Sequence, residues 1–141
     1  MTNIQIFFPA IYLVALTFVL AAAMARGRLR AVYNRAVDPA YYLLQRNGAE
    51  PDQLRQMSRH YSNLFELPVT FYLLVVIAAV TQAADGVLLA LCWGFAALRT
   101  LHALIHTGSN HLKYRMYAFM GGFVILALAW MYLTYRLLTL A

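Results

Sequence analysis

Charged side chains in this chain are gathered into a few islands, and between the islands lie four long apolar stretches. They cover roughly residues 4–25, 64–84, 87–106 and 117–138. Each is near the ~20 residues that a helix needs to cross a bilayer. Inside a membrane every backbone polar group must be satisfied within its own segment, so such stretches fold as helices. The expected fold is an all-α membrane protein, one domain over residues 1–141 built as a four-helix transmembrane bundle. Composition closes the alternatives. Charged residues make up 11% of the chain and hydrophobic ones 63%, whereas a soluble domain averages about 25% charged. That is too little charge to coat a water-soluble fold and too much apolar material for disorder. A single cysteine excludes a disulfide framework and a thiolate-caged metal.

The net charge of +6 reads as membrane topology rather than nucleic-acid binding. Residues 1–25 carry no charged side chain, residues 26–62 carry seven arginines against three acids, and residues 107–116 carry Lys113 and Arg115. Positive loops stay in the cytoplasm, so 26–62 and 107–116 are expected there, with both termini outside. Ten arginines against one lysine hint at a bacterial source and hence an inner membrane. Ala21-Ala22-Ala23 resembles a signal-peptide cleavage site, but no positive segment precedes it, so the first stretch reads as a retained helix.

Local signals place the connections. Gln82–Gly86 is a tight turn, with Asp85 suited to capping the third helix. Asp38-Pro39, Asn47-Gly48 and Glu50-Pro51 are turn signals in the long loop. Pro51 suits the first turn of a helix that runs on into the second span, where Pro68 should kink it.

Ionisable residues within spans are costly and are candidate functional groups. Arg59, Asn63 and Glu66 share a helical face at i, i+4 and i+7. Arg99, His102 and His106 form a second stripe, and Arg115, Phe119 and Gly122 a third. A bundle brings these stripes into one polar pocket near the inner leaflet. Three arginines against one glutamate leave a positive excess, which suits an anion, and arginine forks match carboxylates. Pairing of Glu66 with Arg99 or Arg59 for charge neutralisation alone is the simpler rival. His102 and His106 also have the spacing of a two-histidine metal face, to which Glu66 or His111 would add a ligand. The neighbouring arginines repel a dication, so no metal is expected. Cys92 sits in an apolar stretch and reads as packing.

The run Arg59-His-Tyr-Ser-Asn63-Leu-Phe-Glu66-Leu-Pro68 resembles the Arg-x-x-x-Asn-x-x-Glu-x-x-Pro signature of the membrane-associated proteins of eicosanoid and glutathione metabolism, the MAPEG family, with the proline one residue early. Arg99-x-x-His102, Arg115 and Arg28-Leu-Arg30 also fit its pattern, and the similarity covers the whole chain in length and span order. The resemblance implies a homotrimer of four-helix protomers of a bacterial type. It implies that glutathione, as co-substrate, lies between protomers near the cytoplasmic face, held by Arg59, Asn63, Glu66, Arg99 and His102 and closed in by Arg28; His106, on the stripe of Arg99 and His102, is a further candidate for binding it. Arg115 matches the catalytic arginine that stabilises the thiolate. The partners implied are membrane lipid and a lipophilic small-molecule electrophile. Ser62, His106, Met116 and Phe119 depart from residues common among the family's synthases, and each departure removes a ligand contact. A non-catalytic lipid-binding or scaffold trimer of the same family is therefore the second reading. A transporter or channel is the weakest, since there is no repeat of broken helices.

Overall fold

The computed structural model describes residues 3–44 and 48–140, and it is helical throughout with no strand among them. A 3₁₀ turn, Asn3–Phe7, leads into α1, Phe8–Tyr33, with Pro9 in the first turn where its missing N–H leaves no bond unmade. α1 outruns the apolar stretch by two turns. Arg26, Arg28, Leu29 and Arg30 are good helix formers, and the helix stops where the Asn34 N–H donates to the Arg30 carbonyl and Arg35 turns to a φ of 56°. Much of the positive charge expected in a loop is thus helical. At Asp38-Pro39 the Asp38 carboxylate accepts from the Ala40 N–H at 2.8 Å, as that turn signal requires. A single helical turn, α2, Tyr41–Leu44, follows. The Asn47-Gly48 turn signal falls on Asn47, which lies outside the described residues.

The second span is two helices in register. α3 is Asp52–Asn63 and α4 is Leu67–Val80. Between them the chain closes with short i→i−3 bonds, Leu64 to Tyr61 and Phe65 to Ser62, and Glu66 leaves the helical region at ψ −99°. The cause is Pro68, which cannot donate back to Leu64 and restricts the residue before it. α5, Gly86–Thr107, and α6, Leu112–Leu140, complete the bundle. Lys113 and Arg115 therefore lie on the first turn of α6, and only residues 108–111 form the connection. Four stretches, Ile4–Tyr33, Asp52–Val80, Gly86–Thr107 and Leu112–Leu140, are long and apolar enough to cross a membrane.

The core lies toward the end of the bundle that holds the 81–85 turn. Phe71, Leu74, Val75 and Ala78 of α4 meet Leu88, Cys92, Phe95 and Ala96 of α5 and Leu126, Ala129 and Leu133 of α6. Phe71 and Phe95 stack with ring centroids 4.7 Å apart. α5 and α6 approach closely because Gly94 and Gly121 leave room: a Cβ on Gly121 would stand 3.3 Å from Leu98, and one on Gly94 3.3 Å from Ile125. Small residues serve membrane helices in this way, since tight packing rather than water drives their association. Outward-facing Phe18, Val80, Leu104 and Leu138 are exposed, as surfaces meeting lipid require.

Asp85 closes the apolar end. Its carboxylate accepts from the Leu88 N–H at 2.9 Å and from the Tyr132 hydroxyl at 2.6 Å, with Arg136 3.6 Å away. Burial alone would raise its pKa, but these donors together hold it below the ordinary 3.8. A depressed folded pKa stabilises the protein above the unfolded value, and that contribution is lost as pH falls through the folded one. Thermal melts in detergent should therefore show a drop in stability below about pH 4. Asp85→Asn keeps a capping oxygen but not the charge, and should flatten that acid limb. An equally steep limb in the variant would place the titrating group elsewhere.

Candidate functional site

The opposite end of the bundle, where α1 and α5 stop and α3 and α6 begin, is polar. A cavity of about 380 Å³ opens there. α3 contributes Asp52, Arg55, Gln56 and Arg59, the end of α5 contributes His106, and Asn110 and Arg115 follow. Charge is unbalanced. The carboxylate of Asp52 is taken by Arg55 in an ion pair. Arg115 Nη1 donates to the Asn110 side-chain oxygen, a neutral partner. Arg59 is exposed and faces no acid within ion-pair reach among the described residues. Two guanidinium groups thus stand uncompensated at the cavity wall. Gln56 fixes the wall by donating its amide to the His106 carbonyl, so α3 is tied to the end of α5.

Behind this cavity lies a buried polar layer. Arg99 is fully enclosed, at 0% exposure. Its Nη2 donates to the Asn63 carbonyl at 2.8 Å, while Nε and Nη1 have no partner. The Asn63 carbonyl is available because the break after it ends the α3 ladder. The Arg99 guanidinium lies 5.8 Å from the Phe119 ring centroid, and its stem runs beside Gly122. His102 and His106 are buried with it. His102 Nδ1 stands 3.1 Å from the Arg115 backbone carbonyl, to which it donates. His60, also buried, completes a triad of rings: its Nδ1 lies 3.3 Å from His106 Nδ1, and His106 Nδ1 lies 3.4 Å from His102 Nε2.

The residues singled out by sequence do not all converge. Arg59, His106 and Arg115 line the cavity, and Asn63, Arg99 and His102 sit just behind it. Arg28 is elsewhere: its Nε pairs with Glu50 at 2.9 Å and its Nη2 donates to Ser58 at 2.8 Å, beside Tyr42. In that cluster burial, and then Glu50, push the Tyr42 hydroxyl above its ordinary pKa of 10.0. Glu66, beyond the break, is exposed and makes no ion pair among the described residues, although Arg99 feels its field. The stripe of Arg59, Asn63 and Glu66 assumed a continuous helix, and the break at 64–66 interrupts it. His60, Glu50 and Gln56 were not foreseen. A signal for His60 existed: Leu54 and Met57 mark the inward face of α3, and His60, three residues after Met57, falls on it.

A second, apolar cleft of about 290 Å³ runs along α1 and the break, lined by Val14, Phe18, Tyr61, Leu64, Phe65 and Val69. Its walls suit an acyl chain or another lipophilic molecule. Tyr114 and Tyr117 are exposed on α6.

The model of the MAPEG family matches residues 6–135 of the chain. No curated protein and no solved structure matches it.

Proposed function

The chain belongs to the MAPEG family, and from that membership and the polar cavity we propose that it is a membrane-bound glutathione-dependent transferase or peroxidase acting on lipophilic electrophiles. The observation that carries the reading is the pair of uncompensated arginines, Arg59 and Arg115, on one cavity wall. Glutathione fits the groups present: its two carboxylates suit guanidinium forks, and Arg99 keeps two buried donors unpaired. Arg59, Arg99 and the side chains of Asn63, His102 and His106 would hold the tripeptide. Glu66 would meet its ammonium, and Arg28 would lie at the rim rather than in the cavity. Arg115 would stabilise the thiolate. A free thiol titrates near ~8.5, and an adjacent guanidinium lowers that value, so more thiolate is present at neutral pH. In conjugation the sulfur would bond to carbon as the electrophile's leaving group departs; in peroxide reduction two glutathiones would be oxidised to the disulfide as the hydroperoxide becomes alcohol and water. The apolar cleft is the entry proposed for the lipophilic substrate. Trimerisation would let two protomers share the cost of burying these charges.

A non-catalytic, lipid-binding trimer is the second reading. What favours it is Phe119, whose ring packs on His102 and Arg99, 5.7 Å and 5.8 Å away, and offers no hydroxyl to a ligand. Purified protein in detergent should conjugate glutathione to a generic aromatic electrophile above the uncatalysed rate. Binding of glutathione without turnover would select the second reading, and solute flux in liposomes with neither would select a channel.

In this reading the cavity faces the cytoplasm of a bacterial inner membrane, with both termini outside. Ala40 and Thr81 are exposed at opposite ends of the bundle, and the native Cys92 is buried. Thr81→Cys should react with an impermeant maleimide in intact cells, and Ala40→Cys only after lysis. The reverse pattern would invert the topology.

A further inference from the structure

We propose that His60, His102 and His106 form a binding site for one divalent transition cation, zinc being the archetype, with a fourth position left to water or a small anion. This departs from the expectation of no metal, which rested on His102 and His106 with Glu66 or His111. Neither of those two residues joins the cluster. Glu66 lies exposed beyond the helix break, and His111 lies exposed against Tyr114. The third ring comes from α3 instead.

Three observations carry the proposal. The first is spacing. One nitrogen from each ring lies within 4.8 Å of the others, and two of the separations are 3.3 and 3.4 Å. Zinc–nitrogen bonds of about 2.0–2.1 Å at tetrahedral angles put ligand nitrogens about 3.3–3.4 Å apart. The second is that hydrogen bonding among the rings accounts poorly for the same geometry. His106 Nδ1 faces two other ring nitrogens, and a neutral nitrogen holding one proton cannot serve both well. Both separations also exceed the usual range for a hydrogen bond donated by N–H. The third is orientation. His102 donates from Nδ1 to the Arg115 carbonyl, which leaves the Nε2 lone pair directed at the cluster. Metal-ligating histidines are characteristically held in this way by a backbone carbonyl.

The rings are 1%, 3% and 4% exposed. Arg59, Arg99 and Arg115 surround them and oppose a bare dication. Three neutral imidazoles leave the cation charge uncancelled, so an anion in the fourth position offsets it. The cavity where His106 stands beside Arg59 and Arg115 draws such an anion in. A bound cation commits His102 and His106 to the metal, and glutathione in the cavity would then rest on Arg59, Arg99 and Asn63.

The test uses purified full-length protein, stripped with a chelator and titrated with Co²⁺, with metal content measured after gel filtration. One Co²⁺ per protomer with the intense visible bands of tetrahedral coordination is expected. His60→Gln should weaken uptake at least tenfold, and His111→Gln should leave it unchanged. Wild-type protein that binds no Co²⁺ above a detergent blank overturns the proposal. So does uptake that survives His60→Gln or is lost in His111→Gln. Should His60→Gln fail to fold, the wild-type stoichiometry and spectrum decide alone. Glutathione binding by the stripped protein is measured in parallel. Glutathione bound without any metal uptake overturns the metal site and leaves the transferase reading standing; neither bound overturns both.

Discussion

Arg115→Ala should lower conjugation of a generic electrophile by about 10²–10³-fold while changing glutathione affinity modestly. A positioned charge that stabilises a developing anion contributes a few kcal/mol, which sets that range. The structure makes the experiment clean. Arg115 meets the fold through its backbone, whose N–H donates to His111 and whose carbonyl accepts from His102, and among the described residues its side chain hydrogen-bonds Asn110. The alanine variant keeps the backbone contacts and loses the last, so the bundle should survive. Arg115→Lys should recover part of the rate, since a compact ammonium supplies charge without the planar fork. Kinetics on the purified variants decide the matter: unchanged turnover in Arg115→Ala would leave the arginine a marker of the membrane's inner face and nothing more.

Arg99→Met should separate binding from folding. Arg99 is fully enclosed, holds one hydrogen bond and leaves two donors unmet. Replacing a buried ion pair with apolar side chains of similar volume is often neutral or stabilising by about 1–4 kcal/mol, and a buried charge without an ion-pair partner has less attraction to lose. The melting temperature should therefore hold or rise. Glutathione affinity should fall by at least about 30-fold, because an anchoring charge–carboxylate contact is worth about 2 kcal/mol or more. Calorimetry of binding and thermal melts in one detergent read both. A variant that unfolds would make Arg99 structural, holding Asn63 at the end of α3. A variant that is stable and binds normally would take Arg99 out of the site.

What could be read from the residues in advance follows the reach of the forces involved. The spans were legible because membrane insertion depends on local apolarity. The Asp85 cap was legible because its partner, Leu88, is three residues away. Pro68 announced a disturbance of the second span, though not that Glu66 would leave the helix and Arg59, Asn63 and Glu66 would cease to share a face. The pairing of Arg28 with Glu50 was not legible, because its partner lies 22 residues away. Glu50 had registered only as half of a turn signal. His60 escaped because its meaning depends on two rings carried by another helix. A single-helix pattern shows His102 and His106 but not the third ring that packs against them.

The break at residues 64–66 bears on how the protein answers its bilayer. α3 is anchored to the end of α5 through Gln56, and no continuous hydrogen-bond ladder joins α3 to α4. A span longer than the hydrocarbon layer fits it by tilting or kinking. α4 is packed against α5 and α6 through Phe71, Leu74, Val75 and Ala78, so a kink in this span would fall at the break rather than inside α4.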